Sequence, residues 1–252
     1  IDYDINYYMG AALVKLGRYE EAEDAYTAII DLDDQEEAYY LRGMVRLKRS
    51  EYSEAMTDFD RCIKDDPENY TRMLDIYNAL AENGYREAGV EYLGKAIDDG
   101  GAKVSALDRG RMYFYMGEYQ KAANALEEAR RDSGDADSSL YLGRSYEAVG
   151  EYNYAKTVYE QYLTTGDANA AIYNQLGLCD LAMGEYHKAL EAFDAGMQTG
   201  DTSLMQSLSY NEIVAYEYLG DFTSAAALME NYVKNYPEDE AALREQQFLA
   251  TR

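Results

Sequence analysis

Met116-Gly117-Glu118-Tyr119-Gln120-Lys121-Ala122 decides the fold, because near-copies of it recur along the 252 residues at almost constant intervals. It returns as Val149-Gly150-Glu151-Tyr152-Asn153-Tyr154-Ala155 and as Met183-Gly184-Glu185-Tyr186-His187-Lys188-Ala189. Weaker copies are Leu16-Gly17-Arg18-Tyr19-Glu20-Glu21-Ala22 and Leu219-Gly220-Asp221-Phe222-Thr223-Ser224-Ala225. Two degenerate copies, around Tyr52 and Tyr85, lack the glycine at its expected place. The aromatic of the unit falls at 19, 52, 85, 119, 152, 186 and 222, in steps of 33, 33, 34, 33, 34 and 36. A fixed period in this range predicts a solenoid of stacked helix pairs.

Each unit reads as two helices, one ending before the Gly-x-Tyr and one starting at it. Leu142 and Tyr146 stand four apart, and Tyr152, Ala155, Tyr159 and Tyr162 three or four apart, so both segments are amphipathic at the helical period. Gly150 tolerates a left-handed backbone and lets the chain reverse within two residues.

The unit resembles the tetratricopeptide repeat, whose pattern runs aromatic, Leu-Gly, Tyr, Ala, Phe, Pro over about 34 residues. One copy carries it as Tyr173, Leu176-Gly177, Gly184, Tyr186, Ala189 and Phe193, another as Tyr39, Gly43, Tyr52, Ala55, Phe59 and Pro67. The resemblance implies an all-α, right-handed α-solenoid of about seven repeats forming a single domain. These span residues 2–34, 36–67, 69–100, 103–134, 136–167, 170–201 and 204–237, with a capping helix over 238–250. Repeat three fits worst: Ile76 replaces the small residue found at Gly10, Gly43, Gly110, Gly143 and Gly177, while Gly94 interrupts its second helix and Gly100-Gly101 follows. It is expected to be irregular. Two extra residues near Thr202 predict a longer turn before repeat seven. The closing proline survives at Pro67 and Pro237. Elsewhere Gly134-Asp135, Gly166-Asp167 and Gly200-Asp201 are expected to stop one helix and cap the next.

The formal net charge is −25, from 48 acidic and 23 basic residues, which disfavours a phosphate backbone as partner. Much of the acidity, including Asp31, Asp33, Asp34, Asp65, Asp66, Asp98, Asp99, Asp135, Asp137, Asp167 and Asp201, clusters between repeats, where carboxylates would cap helix starts. No calcium loop, two-histidine zinc spacing, phosphate loop or dinucleotide fingerprint occurs. The sole histidine, His187, has no nucleophile beside it in the sequence, so no catalytic residue, metal site or cofactor is expected. Cys62 and Cys179 lie more than three repeats apart and read as small buried side chains. No apolar run reaches membrane-spanning length. Ile1-Asp2-Tyr3 reads as the cut edge of a longer protein. The compartment is therefore left open, including an exported or lipid-anchored form whose signal lies upstream.

In the family, first helices line the concave face and ligands lie there. By repeat register that face is expected to present Tyr7, Lys15, Tyr40, Met44, Lys48, Tyr77, Arg111, Tyr115, Arg144, Asn174, Tyr210 and Tyr218. Arg111 and Arg144 share a slot in adjacent repeats, as do Lys15 and Lys48. Such cations in an acidic chain suit an acidic peptide or a terminal carboxylate. Exposed tyrosines suit a binding surface. Family members that grip the acidic tails of heat-shock chaperones use a Lys and Asn pair. Here the matching slots hold Tyr7 with Ala11, Tyr40 with Met44, and Asn174 with Leu178, so that role is disfavoured. The resemblance thus implies a non-enzymatic scaffold that holds an extended peptide or partner helix. An exported lipoprotein binding a small molecule or glycan, or the repeat segment of a larger regulatory chain, stays open.

Overall fold

The computed structural model describes residues 3–132, 134–165 and 167–251. Ile1, Asp2 and Gly166, named above, lie outside the described residues. Among these residues the fold is all α, with no strand. The first unit holds the hairpins α1 (Tyr3–Lys15) with α2 (Tyr19–Ile30), α3 (Glu36–Lys48) with α4 (Tyr52–Cys62) and α5 (Tyr70–Glu82) with α6 (Arg86–Gly100), followed by α7 (Ala106–Met116), and the second unit opens on α8 (Tyr119–Asp132). Then come α9 (Ala136–Ala148) with α10 (Tyr152–Leu163), α11 (Ala170–Ala182) with α12 (Tyr186–Gln198), and α13 (Met205–Leu219) with α14 (Phe222–Asn235). A last helix, α15 (Glu240–Leu249), packs on α14 and buries Ala242 and Leu249. The chain divides into two compact units, Ile1–Met116 and Gly117–Arg252.

The reversal inside each hairpin rests on a left-handed residue two before the second helix: Gly17, Gly150, Gly184 and Gly220 have φ between 72° and 83°. In repeat two Ser50 takes the same conformation, at φ 63°. In repeat three Gly84, one place later than the repeat spacing predicts, makes the turn at φ 87°, and α6 starts at Arg86. That shift by one residue changes which side chains meet. Elsewhere a glycine on the first helix lies under an aromatic on the second: a Cβ on Gly43 would stand 2.6 Å from Phe59, on Gly143 2.2 Å from Tyr159, and on Gly177 2.3 Å from Phe193. In repeat three the sizes are exchanged. Tyr77 on α5 packs over Gly89 on α6, where a Cβ would lie 2.9 Å from its ring.

Neighbouring hairpins are joined by apolar packing and by ion pairs, two sets of which occupy equivalent places in the repeat. Arg46 on α3 reaches back to Glu23 on α2 at 2.9 Å and forward to the buried Asp58 on α4 at 2.9 Å, and Arg42 grips both Asp58 oxygens at 2.7 and 3.0 Å. Four repeats later Lys156 on α10 pairs with the buried Asp180 on α11 at 2.5 Å and with Glu185 at 2.6 Å. Glu23 and Lys156 each stand four residues after the first residue of their helix, and Arg46 and Asp180 each six before the next second helix. The two junctions therefore use one slot pair with reversed polarity. Other junctions fill the same slots with apolar groups, as with Met56 and Leu80.

The aspartates between repeats do less capping than their positions predict. Asp135, Asp221 and Asp239 accept backbone N–H bonds at the starts of α9, α14 and α15, and asparagines do the same for α5 (Asn69) and α11 (Asn169). Asp34 and Asp65 instead hold Arg61, Asp33 accepts a bond from Gln35, and Asp201 closes the longer turn before α13 on Ser203. Cys62 and Cys179 are both buried thiols.

Candidate functional site

First helices touch one another directly within each unit, α3 with α5 and α5 with α7 in the first, α9 with α11 and α11 with α13 in the second. Each unit thus has a face made of first helices.

In the first unit, Tyr7 is half-buried with its ring 6.4 Å from Tyr26, and Tyr40 is half-buried with its ring 6.1 Å from Phe59. Burial, with the charge of Glu37 added, raises the Tyr7 hydroxyl's pKa. Burial and the nearby Asp75 push that of Tyr40 up to about 12. Both phenols therefore stay neutral hydrogen-bonding groups at any physiological pH. Met44, half-buried, packs on the same core cluster as Tyr40, and Lys15 and Lys48 are exposed in the last turns of α1 and α3, where an ammonium also meets the negative helix end.

Two members of the expected set are internal. Tyr77 is buried in its own hairpin by the one-residue shift described above, and its hydroxyl donates to the Tyr115 carbonyl at 2.7 Å. Asn174 is buried between α11 and α13, where its carbonyl oxygen accepts from Asn211 at 2.8 Å. Both hold helices together and are withdrawn from the expected binding face. Tyr115 is half-buried against Tyr77, ring centroids 5.6 Å apart.

Arg111 belongs to the first unit, with a guanidinium nitrogen 3.9 Å from Asp108. Arg144 belongs to the second, its guanidinium 5.9 Å from the Tyr141 ring centroid. Glu147 is engaged by Tyr159, whose hydroxyl donates to it at 2.6 Å, while burial raises the Glu147 carboxyl's pKa. Tyr210 is half-buried, 5.5 Å from Tyr232. Tyr218 is 62% exposed and its ring lies flat on Tyr186, centroids 5.3 Å apart and planes 11° from parallel.

One residue of the first-helix face escaped the repeat register. Arg72 on α5 bonds Glu36 at 3.3 Å and Glu37 at 2.5 Å on α3, and places its guanidinium 4.4 Å from the Tyr40 ring centroid. The signal was available: Tyr40 and Arg72 stand 32 residues apart, close to the repeat period, which puts them on neighbouring first helices, and a cation–π contact there is worth about 0.5–2 kcal/mol.

The chain belongs to the tetratricopeptide repeat family: the family's models match residues 7–70 and 107–153, and again 206–239. None of the curated proteins matches the sequence. Solved structures share the fold at low identity. A tetratricopeptide repeat protein from Parabacteroides merdae is 16% identical over 82% of each chain, with a TM-score of 0.53. A chain of the APC/C hetero-tetramer Cut9-Hcn1 is 16% identical over 95% of this chain and 48% of its own, at 0.58. YrrB, described as a TPR protein with an unusual peptide-binding site, is 20% identical over 75% of this chain and 97% of its own, at 0.50. No described helix is long and apolar enough to cross a membrane.

Proposed function

We propose that the protein is a non-enzymatic scaffold that holds an extended segment of a partner protein against its first-helix faces. The observation that carries this reading is the state of the aromatic side chains there. Tyr7, Tyr40 and Tyr210 bury part of their rings in the hairpin and keep an edge in solvent, and Tyr218 is largely exposed on a stacked partner. Rings fixed in this way offer rigid contact area with little conformational entropy left to lose, which is what an interaction surface needs. The fold likeness to YrrB supports the same reading.

The finer part of the proposal is charge. Lys15 and Lys48 in the first unit and Arg144 in the second are cations on first helices of a chain carrying −25, so the favoured segment is acidic or ends in a free carboxylate.

Peptides selected on the immobilised protein from a random library test both parts. Selected sequences should be enriched in Asp and Glu, and the pair Lys15→Gln and Lys48→Gln, or Arg144→Gln alone, should weaken them about tenfold. Selected peptides that keep full affinity for Tyr40→Ala and Tyr218→Ala proteins would remove the first-helix faces from the account.

A further inference from the structure

A cavity of the first unit lies away from the first-helix face, among the second helices α4 and α6 and the start of α5, with a volume of about 510 Å³. Its cause is legible in the repeat. Counting from the start of each second helix, the seventh residue is Ala25, Ala125 and Ala192 in repeats one, four and six. In repeat three, once α6 is taken to start at Arg86, it is Tyr92. A tyrosine where those three repeats carry alanine, and where repeats two, five and seven carry Asp58, Val158 and Leu228, stands at the furrow between α4 and α6. Met56 and Ile63 on α4 form one wall, Tyr92 and Ala96 on α6 the other, and Tyr70 and Met73 lie below.

Three features of this furrow point to a ligand. The Tyr70 side chain is 6% exposed, yet its hydroxyl has no hydrogen-bond partner among the described residues, and the same holds for the hydroxyl of Tyr92. A buried hydroxyl without a partner carries a desolvation penalty that a polar ligand atom would relieve. Gly100 makes the room: a Cβ there would stand 2.7 Å from the Tyr70 hydroxyl. The third feature is charge. The rim carries the carboxylates of Asp60, Glu68, Glu91 and Asp99 against the ammonium groups of Lys95 and Lys103, and Lys103 is already bonded to Glu68 at 2.7 Å. The size falls within the range of small-molecule sites, roughly 300–1,000 Å³, and the lining is the apolar body with a few convergent polar groups that such sites have.

We infer that this furrow binds a small organic amine: an apolar body seated between Met56, Met73 and Tyr92, its ammonium group donating to the Tyr70 and Tyr92 hydroxyl oxygens and facing the carboxylate rim. Tyrosine faces and carboxylates together favour a cation over a neutral or anionic isostere. This site is independent of the peptide-binding reading and uses none of its residues.

The test uses the full chain with methyl-labelled methionine and three matched probes, 4-phenylbutylamine, 4-phenylbutanol and 4-phenylbutyrate. The amine should shift the Met56 and Met73 methyl resonances saturably, the alcohol should bind about tenfold more weakly, and the acid more weakly still. Combining Tyr70→Phe with Tyr92→Phe keeps both rings and should erase the amine's advantage over the alcohol. Asp60→Asn, on the exposed rim, should weaken the amine and leave the alcohol unchanged, which keeps the test open should the double variant unfold. No saturable shift at the two methionines, equal binding of alcohol or acid, or indifference of the amine to both variants would overturn the proposal.

Discussion

The reversed ion pair at the junction of repeats five and six permits a sharp test of how neighbouring hairpins recognise each other. Asp180 is 3% exposed and Lys156 14%, so each charge depends on the other for the solvation it has lost. Lys156→Glu would place a carboxylate against Asp180 and Glu185 and remove their shared cation. Removing one partner of a buried pair costs about 3–5 kcal/mol. For a chain of this size that lowers Tm by roughly 10 °C. Combining Lys156→Glu with Asp180→Arg rebuilds, in the fifth and sixth repeats, the Glu-to-Arg arrangement that Glu23 and Arg46 already use between the first and second. The double variant should therefore recover at least half of the loss, a coupling of about 2–3 kcal/mol. Thermal melts followed by far-UV circular dichroism, run on both singles and the double, give the cycle. A double variant whose loss equals the sum of the two singles would refute the claim that these slots form one interchangeable junction. A third comparison separates specificity from stability: replacing the pair by Met and Leu, in keeping with the apolar slots elsewhere, should leave Tm within a few degrees of the parent.

Three further outcomes follow from the packing and titration of individual residues. Gly177→Ala should destabilise by about 1–3 kcal/mol, because its Cβ would stand 2.3 Å from Phe193, whereas Gly94→Ala should stabilise by about 0.5–1 kcal/mol, since its Cβ meets only Met116, at 3.6 Å; urea melts of the two decide it. The carboxyl of Asp239 is lowered below its ordinary 3.8 by the Ala242 amide and the Tyr232 hydroxyl. Its contribution is thus present above 3.8 and fades as pH falls through the lower folded value. Amide exchange at Ala241 and Ala242, corrected for intrinsic rates, should accelerate below that pH, and Asp239→Asn should remove the acid dependence. Burial pushes the Cys62 and Cys179 thiols up to about 12, so iodoacetamide at pH 8 should leave the folded protein unmodified and label both cysteines once urea unfolds it.

The repeat was legible because its punctuation is local. A glycine that must adopt positive φ, an aromatic two residues later and an alanine three beyond that are set by one turn and one helix start, and they need no knowledge of the rest of the chain. On the first helices Tyr7, Tyr40, Met44 and Tyr218 keep an edge in solvent. What escaped depends on a single residue. The glycine of repeat three stands at 84 and not 83, so α6 begins one place late and every position counted from its start, back into α5 as well as forward, slides by one. Tyr77 thereby takes the slot held by Gly43 and Gly143 in other repeats and is buried in the core, while Tyr92 packs on the core and lines the furrow. Asn174 escaped for a different reason. Its partner Asn211 is 37 residues away, and an asparagine satisfied across a repeat junction looks in sequence like one waiting for a ligand. The acidic clusters were misread because capping was assumed to consume them, while arginines such as Arg61 and Arg72 draw carboxylates into inter-repeat pairs instead.

The central claim, that partner segments lie on first helices, is tested most directly by site-specific photocrosslinking. Benzoylphenylalanine introduced at position 44 on α3 or 218 on α13, and at positions 124 on α8 or 191 on α12 as second-helix controls, is irradiated with a selected acidic peptide. Crosslinks from 44 and 218 that an unlabelled competitor abolishes, with none from 124 and 191, are the predicted result. Crosslinks from the second-helix positions alone would contradict the account.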